Sequence, residues 1–243
     1  MAGTKRLRVN LFSLLLAGAI GLADADAAVI APPTPDPDNP TCPKGLDWST
    51  YRQMRFTLAD TDGVRVLKAE GVIDADAATR LSDALKHYGQ IDEIWLRSPG
   101  GDARIGNQAG TIIRKAGIPT RIPKGWACFS ACNFIFMGGP IRFLDDGGQF
   151  VVHMFTHVGD KDAVHAEVSQ GADKAAQLIG GLEQDSAMLA SEDNDFLIKM
   201  GVSRKLLTEV MYKQQAVAAG DDKSTRRCLT AVEAAKYNVA NAR

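Results

Sequence analysis

Two side chains in this 243-residue sequence have the types and setting for nucleophilic chemistry. Ser130 sits in Gly125-Trp126-Ala127-Cys128-Phe129-Ser130-Ala131-Cys132, ahead of the apolar run Phe134-Ile135-Phe136-Met137, and His153 closes the run Phe150-Val151-Val152. Serine attacks poorly until a neighbouring base takes its proton, and an imidazole titrates close enough to neutral pH to do so. Upstream lies Ser98-Pro99-Gly100-Gly101-Asp102, a glycine-rich turn after Ile94-Trp95-Leu96. Acyl transfer also needs two backbone N–H groups to hold an oxyanion, and losing one such donor typically costs about 3–4 kcal/mol. Ala131 offers one of them. Gly100 or Gly101 offers the other, since a side chain there would block close backbone approach.

Each piece alone has a plainer reading. Ser-Pro-Gly-Gly is a turn, Ser130 a helix N-cap, and His153 a core histidine. His157 and His165 fall in a polar stretch and read as surface residues. It is the combination, in this order, that points to a nucleophile, a base and an oxyanion hole.

The elements that must position these groups follow from periodicity. Met54 to Leu58 and Val64 to Ala69 read as strands, and Asp62-Gly63 between them is a hairpin-turn signal. Gly71-Val72-Ile73 precedes a helix from Ala77 to Tyr88, which places Ala78, Leu81, Ala84 and Leu85 on one face. A strand over Asp92 to Arg97 leads through the Gly-Gly turn into a helix over Ile105 to Ala116, ended by Gly117. A short strand lies within Pro119 to Pro123, a buried helix over Ala131 to Met137, and a fourth core strand over Gln149 to Met154. Ser130 then stands where the strand Arg121 to Ile122 and its loop feed a helix, a favourable dipole for developing negative charge. Strands alternating with helices of this length predict an α/β fold: a largely parallel sheet with right-handed βαβ crossovers.

Beyond Phe155 the chain turns polar and helix-favouring. Val164, Val168, Ala172, Ala175, Ala176 and Ile179 form an apolar stripe, with Gly180-Gly181 as an interruption. Further helices are expected over Val202 to Gln215 and Thr230 to Tyr237, the last opened by the capping box Thr230-Ala231-Val232-Glu233.

The N-terminus reads as a targeting segment. Lys5, Arg6 and Arg8 precede a short apolar run from Leu11 to Leu22, and Ala23-Asp24-Ala25 and Ala25-Asp26-Ala27 offer small-x-small cleavage sites. Residues 1–27 are therefore expected to be a signal peptide, with an uncleaved anchor as the alternative; a spanning helix needs about 20 apolar residues. The mature protein is placed in the periplasm or outside the cell. Residues 28–50, rich in Pro, Asp and Asn, read as an extended linker ahead of a single domain over 51–243.

Export bears on Cys42, Cys128, Cys132 and Cys228, which are even in number and would meet an oxidising compartment. Four cysteines allow three pairings. Cys128 and Cys132 could bridge if a helix starts between them, and Cys42 would then join Cys228. The spacing is not a zinc signature, and no metal or cofactor is expected. A formal net charge of −1 gives no support for nucleic-acid binding.

From about Gly71 to Phe155 these residues resemble the ClpP/crotonase fold, and more narrowly the Clp-type serine peptidases. In that family a strand ends in Ser-Pro-Gly-Gly (here Ser98 to Gly101), and a Gly-x-Ala-x-Ser-like segment follows (Gly125 to Ser130). An apolar helix then ends in a glycine turn with an Arg shortly after (Gly138-Gly139-Pro140-Ile141-Arg142), and a strand closes on His153. The resemblance implies Ser130 as nucleophile, His153 as base, and Gly101 with Ala131 as oxyanion donors. The segment Leu229 to Val239 resembles the family's final helix and the short strand after it. The family's triad aspartate would precede that helix, but Arg226 holds the corresponding position. Asp221 and Asp222 are the nearest substitutes, and Asp193 and Asp195 are further candidates.

The resemblance also implies substrates and partners. The expectation is an exported, ATP-independent peptidase acting on peptides or unfolded proteins, with no ATP-driven unfoldase. Homo-oligomers would be built through a handle-like helical region over about 158–217. A binding or scaffold protein of the same fold without turnover is the rival reading. An acyl-CoA enzyme of the crotonase branch is a third, against which the signal-like segment and Ser130/His153 both count.

Overall fold

The computed structural model describes residues 34–156, 161–218 and 224–242. The segment expected to be a signal peptide, His157, Asp221 and Asp222 lie outside them. The chain enters through two short antiparallel strands, β1 (Pro35–Asp36) and β2 (Asn39–Pro43). This stretch is not the free linker expected from its composition. Asp36, Asn39, Cys42 and Ser49 are buried, so prolines and carboxylates here shape a packed strap.

β3 (Arg55–Thr61) and β4 (Val64–Glu70) form the expected hairpin. Asp62 and Gly63 turn it with φ of 54° and 78°, the left-handed values that Asp and Gly tolerate. Then come α1 (Ala77–Tyr88), β5 (Glu93–Arg97), α2 (Ala103–Ala116) and β6 (Thr120–Ile122). The Asp102 carboxylate caps α2 by accepting the Ile105 N–H at 3.0 Å, and Gly117 ends it in the left-handed conformation. The chain continues through β7 (Ala127–Phe129), α3 (Cys132–Gly138), β8 (Arg142–Leu144) and β9 (Gln149–His153).

The larger sheet has the order β3-β4-β5-β6-β8, parallel except for the opening hairpin. Leu67, Ile94, Leu96 and Ile122 fill its core together with Leu81 of α1, Ile113 of α2 and Phe136 of α3. The α/β architecture is the expected one, but β9 is not a strand of that sheet. Pro123 and Gly125, the latter at φ +83°, turn the chain out of the large sheet. It re-forms as β7, a strand missing from the sequence reading, and β9 pairs with that strand in parallel. β10 (Arg226–Cys228) adds antiparallel to the other side of β9, completing a three-stranded sheet. Strands of three residues are too short to show a period, so β7, β8 and β10 are silent in the sequence, while β6, equally short, is marked by its flanking prolines.

Two helices follow β9: α4 (Lys161–Val168) and α5 (Ala172–Lys199). Gly180-Gly181 does not break α5, whose helix-forming flanks carry it through. Among the described residues the expected stripe is left uncovered, with Val168 and Ile179 about half exposed. The anticipated helix over Val202 to Gln215 is replaced by a π-turn over Leu206–Val210 and a 3-10 turn over Met211–Lys213. α6 (Ala231–Lys236) closes the chain, and its Thr230/Glu233 capping box is complete.

Candidate active site

Ser98 joins the two sheets at the level of the site. It continues β5 into a bridge with Cys128 of β7: the Ser98 N–H donates to the Ala127 carbonyl and the Phe129 N–H to the Ser98 carbonyl, each at 3.0 Å. Its fully buried hydroxyl donates to the Gly71 carbonyl at 2.6 Å and accepts the Gly100 N–H at 3.1 Å. The Ser of Ser-Pro-Gly-Gly is thus a structural pin. Gly100 takes φ +87°, and a Cβ there would lie 2.7 Å from the Ser130 Cβ and 3.2 Å from the Ala131 nitrogen. Only glycine lets this turn lie against the candidate nucleophile.

Ser130 itself has φ +57°, a left-handed conformation that costs a non-glycine residue roughly 1–2 kcal/mol. Such strain persists where the surroundings over-determine it, and here four contacts do so. A disulfide joins Cys128 to Cys132, two residues to either side. The Asn133 N–H donates to the Ser130 carbonyl at 2.9 Å, and the Ser130 N–H to the Val151 carbonyl at 3.3 Å. The Asn133 Nδ2 donates to that same Val151 carbonyl at 2.8 Å. Asn133 is 1% exposed, so one buried amide ties the serine turn to the strand that ends in His153.

The two side chains meet. His153 Nε2 lies 2.7 Å from Ser130 Oγ. Burial lowers the imidazole pKa below its ordinary value, while a hydrogen bond to the backbone of Met154 works in the opposite direction. The neutral ring, which can accept a proton, is therefore the favoured form at neutral pH. The second disulfide joins Cys42 to Cys228, and among the described residues no cysteine is left free.

Behind the serine, α3 is held at its far end. Arg114 of α2 donates to the carbonyls of Met137, Gly138 and Gly139, and buried Arg142 donates to those of Gly139, Asn238 and Val239. Two cations at a helix C-terminus complement its exposed carbonyls. Burial lowers the Arg142 pKa, with no carboxylate among the groups it bonds.

The candidates for a third member stand elsewhere. Asp193, on α5, is buried and accepts from Asn107 Nδ2 at 3.1 Å; burial pushes its carboxyl up to about 6. Asp195 is exposed on the same helix. Neither is hydrogen-bonded to His153 among the described residues. Arg226 is paired in register directly across from His153 and forms a 2.6 Å ion pair with Asp36. Asn133, Asp36 and Phe129, the ring beside His153, were given no role in the site from sequence. Only Asn133 left a signal, as the single polar residue in an apolar helix.

No protein-family model matches this chain, and no curated protein matches it either. Among solved structures, it is similar to a mutant of ClpP1 from Listeria monocytogenes at 16% identity and a TM-score of 0.48, over 73% of this chain and 89% of that one. It is also similar to a mutant of the 1510-N membrane-bound stomatin-specific protease, at 14% identity and a TM-score of 0.42, over 73% of this chain and 76% of that one.

Proposed function

We propose that this chain is an exported, ATP-independent serine peptidase in which Ser130 attacks a peptide carbonyl and His153 takes its proton. The observation that carries the reading is the 2.7 Å contact of His153 Nε2 with the hydroxyl of a serine held at φ +57°. A left-handed serine between a strand and a helix presents its hydroxyl outward, free of the helix it precedes. In the proposed reaction the neutral imidazole accepts the Ser130 proton as Oγ bonds to the carbonyl carbon. The resulting imidazolium returns that proton to the leaving amine. Water then repeats the sequence on the acyl-enzyme.

The oxyanion would be held by the N–H groups of Gly101 and Ala131. Gly100 packs against Ser130, but its N–H is already donated to Ser98 Oγ, which leaves it the role of spacer. In place of a triad aspartate, the Met154 carbonyl is assigned to orient the imidazole, consistent with the raising effect of that backbone contact. A neutral acceptor stabilises an imidazolium less than a carboxylate does, so turnover is expected to be slow. An asparagine in place of a triad aspartate costs about 10⁴ in kcat because it holds the wrong imidazole tautomer, whereas a carbonyl acceptor keeps the right one.

Export is proposed on the targeting-like N-terminus together with the two disulfides, which persist in oxidising compartments. Homo-oligomers are proposed through α4 and α5, whose apolar Val168, Ile179 and Met188 are exposed. One observation favours the rival reading of a fold without turnover: a cation, Arg226, stands across from His153. A serine-reactive fluorophosphonate separates the two. Labelling that disappears in Ser130→Ala supports the peptidase; folded protein that does not label supports the rival.

A further inference from the structure

Strand alternation sorts the small sheet into two faces. Cys128, Phe150 and Val152 point into the main core and are fully buried. Phe129 pairs in register with Val151, Val151 with Cys228, and His153 with Arg226, so these five residues share the opposite face. That face is roofed by the N-terminal strap. Cys42 is bonded to Cys228, and Leu46 packs on the same cluster. Trp48 stacks on Phe129 with ring centroids 5.5 Å apart and planes at 24°. Phe129 in turn lies 4.7 Å from the His153 ring, centroid to centroid.

Both ends of the strap are tied down. Asp36 pairs with Arg226, whose N–H donates to Asn39 Oδ1 at 3.0 Å, and the Cys228 N–H donates to Thr41 Oγ1 at 3.1 Å. Next to Trp48, the Asp47 carbonyl accepts the Ala127 N–H at 2.9 Å. Arg226 also lies over the Trp48 ring, 5.8 Å from its centroid. Strap, base and β10 therefore form one continuous stack.

We propose that the strap is a working wall of the site: Trp48 holds Phe129 against the imidazole of His153, the Cys42–Cys228 disulfide latches it there, and Trp48 is a positioning residue. This rests on the reading of His153 as the base. The wall excludes water from one side of the ring, and desolvation favours the neutral imidazole that a general base must be. Among the described residues, the strap carries Lys44 and Asp47, the latter paired with Arg97 at 3.5 Å. Arg226 faces the ring from β10 with Asp36 on it, Arg227 lies on the other face paired with Glu233, and the 3-10 turn packed on β9 carries Tyr212 and Lys213. Of these, Arg226 lies over the Trp48 ring, and Trp48→Phe keeps a ring beneath it.

The test is an NMR titration of the His153 imidazole in the folded, oxidised protein, alongside the pH profile of fluorophosphonate labelling. Trp48→Ala is expected to raise the His153 pKa toward its ordinary value, and Trp48→Phe to restore it. Cys42→Ala/Cys228→Ala should shift it the same way. Trp48→Leu keeps apolar volume without an aromatic face and serves if Trp48→Ala does not fold; it too should raise the pKa. A general loss of stability would lower Tm without moving this titration. An unchanged His153 pKa in both Trp48→Ala and Trp48→Leu overturns the proposal. A pKa that moves in a protein whose wild type never labels supports the wall and refutes His153 as a working base.

Discussion

The two disulfides should fail in opposite ways when removed. Cys42–Cys228 spans a sequence separation of 186 and Cys128–Cys132 one of 4. Loop-closure entropy assigns about 5 kcal/mol to the first and about 2 kcal/mol to the second. For a domain of this size those losses correspond to Tm decreases of about 10–20 °C and about 4–8 °C. Chemistry should follow the reverse order. The short bridge brackets Ser130, and releasing it lets the left-handed turn relax by roughly 1–2 kcal/mol, which converts to a 5–30-fold loss of competent conformer. The assay compares Cys42→Ala/Cys228→Ala with Cys128→Ala/Cys132→Ala, using alanine because the inner pair is fully buried and serine would bury unpaired hydroxyls. Tm is read by circular dichroism without reductant, and fluorophosphonate labelling rates are read at 25 °C and pH 8, where His153 is neutral in every variant. The outer pair should lose more Tm and keep its rate at this pH, since the wall acts through the His153 pKa; the inner pair should lose less Tm and label 5–30 times more slowly. Wild-type labelling by the inner double variant would refute the claim that the bridge holds the serine. A larger Tm loss from the inner pair would refute the entropy argument.

Three further outcomes follow from the same geometry. Asn133→Leu keeps the branching at Cγ and removes the donor to Val151, so it should cost about 1 kcal/mol of stability and slow labelling about tenfold; a rate equal to wild type would remove Asn133 from the site. The acid limb of labelling against pH should have its midpoint below about 6.5, the free imidazole value, because burial lowers His153 and the rate disappears as pH falls through that pKa; a midpoint above 6.5 contradicts the assignment. Asp193 titrates at about 6 in the fold against about 3.9 unfolded, so its carboxylate destabilises the protein by about 3 kcal/mol above pH 6, and this penalty fades as pH falls to 4. Asp193→Asn should therefore raise Tm at pH 8 and change it little at pH 4, and an equal gain at both would show that the carboxyl is not the cause.

Much of the site was legible because its chemistry is local. Ser98 to Gly101 and Gly125 to Ser130 are short turns whose residue types are dictated by backbone approach, and periodicity located α1, α2, β4 and β5 around them. The capping box of α6 is likewise a four-residue signal. Legibility failed where a role depends on partners far apart in sequence. Nothing around Trp48 marks it as a neighbour of His153, because the contact passes through Phe129 and a strap closed from Cys42 to Cys228. Asp36 reads as a linker carboxylate until β10 brings Arg226 beside it. Arg226 itself reads as a missing acid, whereas in the fold it anchors that strap.

The sequence by itself singled out Ser130, His153 and the Ser98 to Gly101 turn, which the fold brings together. Local backbone sterics and side-chain ionisation are properties of short segments, so they survive without a fold. Only tertiary structure decided that β9 leaves the large sheet, that Gly100 spends its N–H on Ser98, and that an N-terminal strap stacks Trp48 on Phe129 beside His153. Strand pairing and burial are sums over residues distant in the chain, and they exist only once the chain has closed on itself.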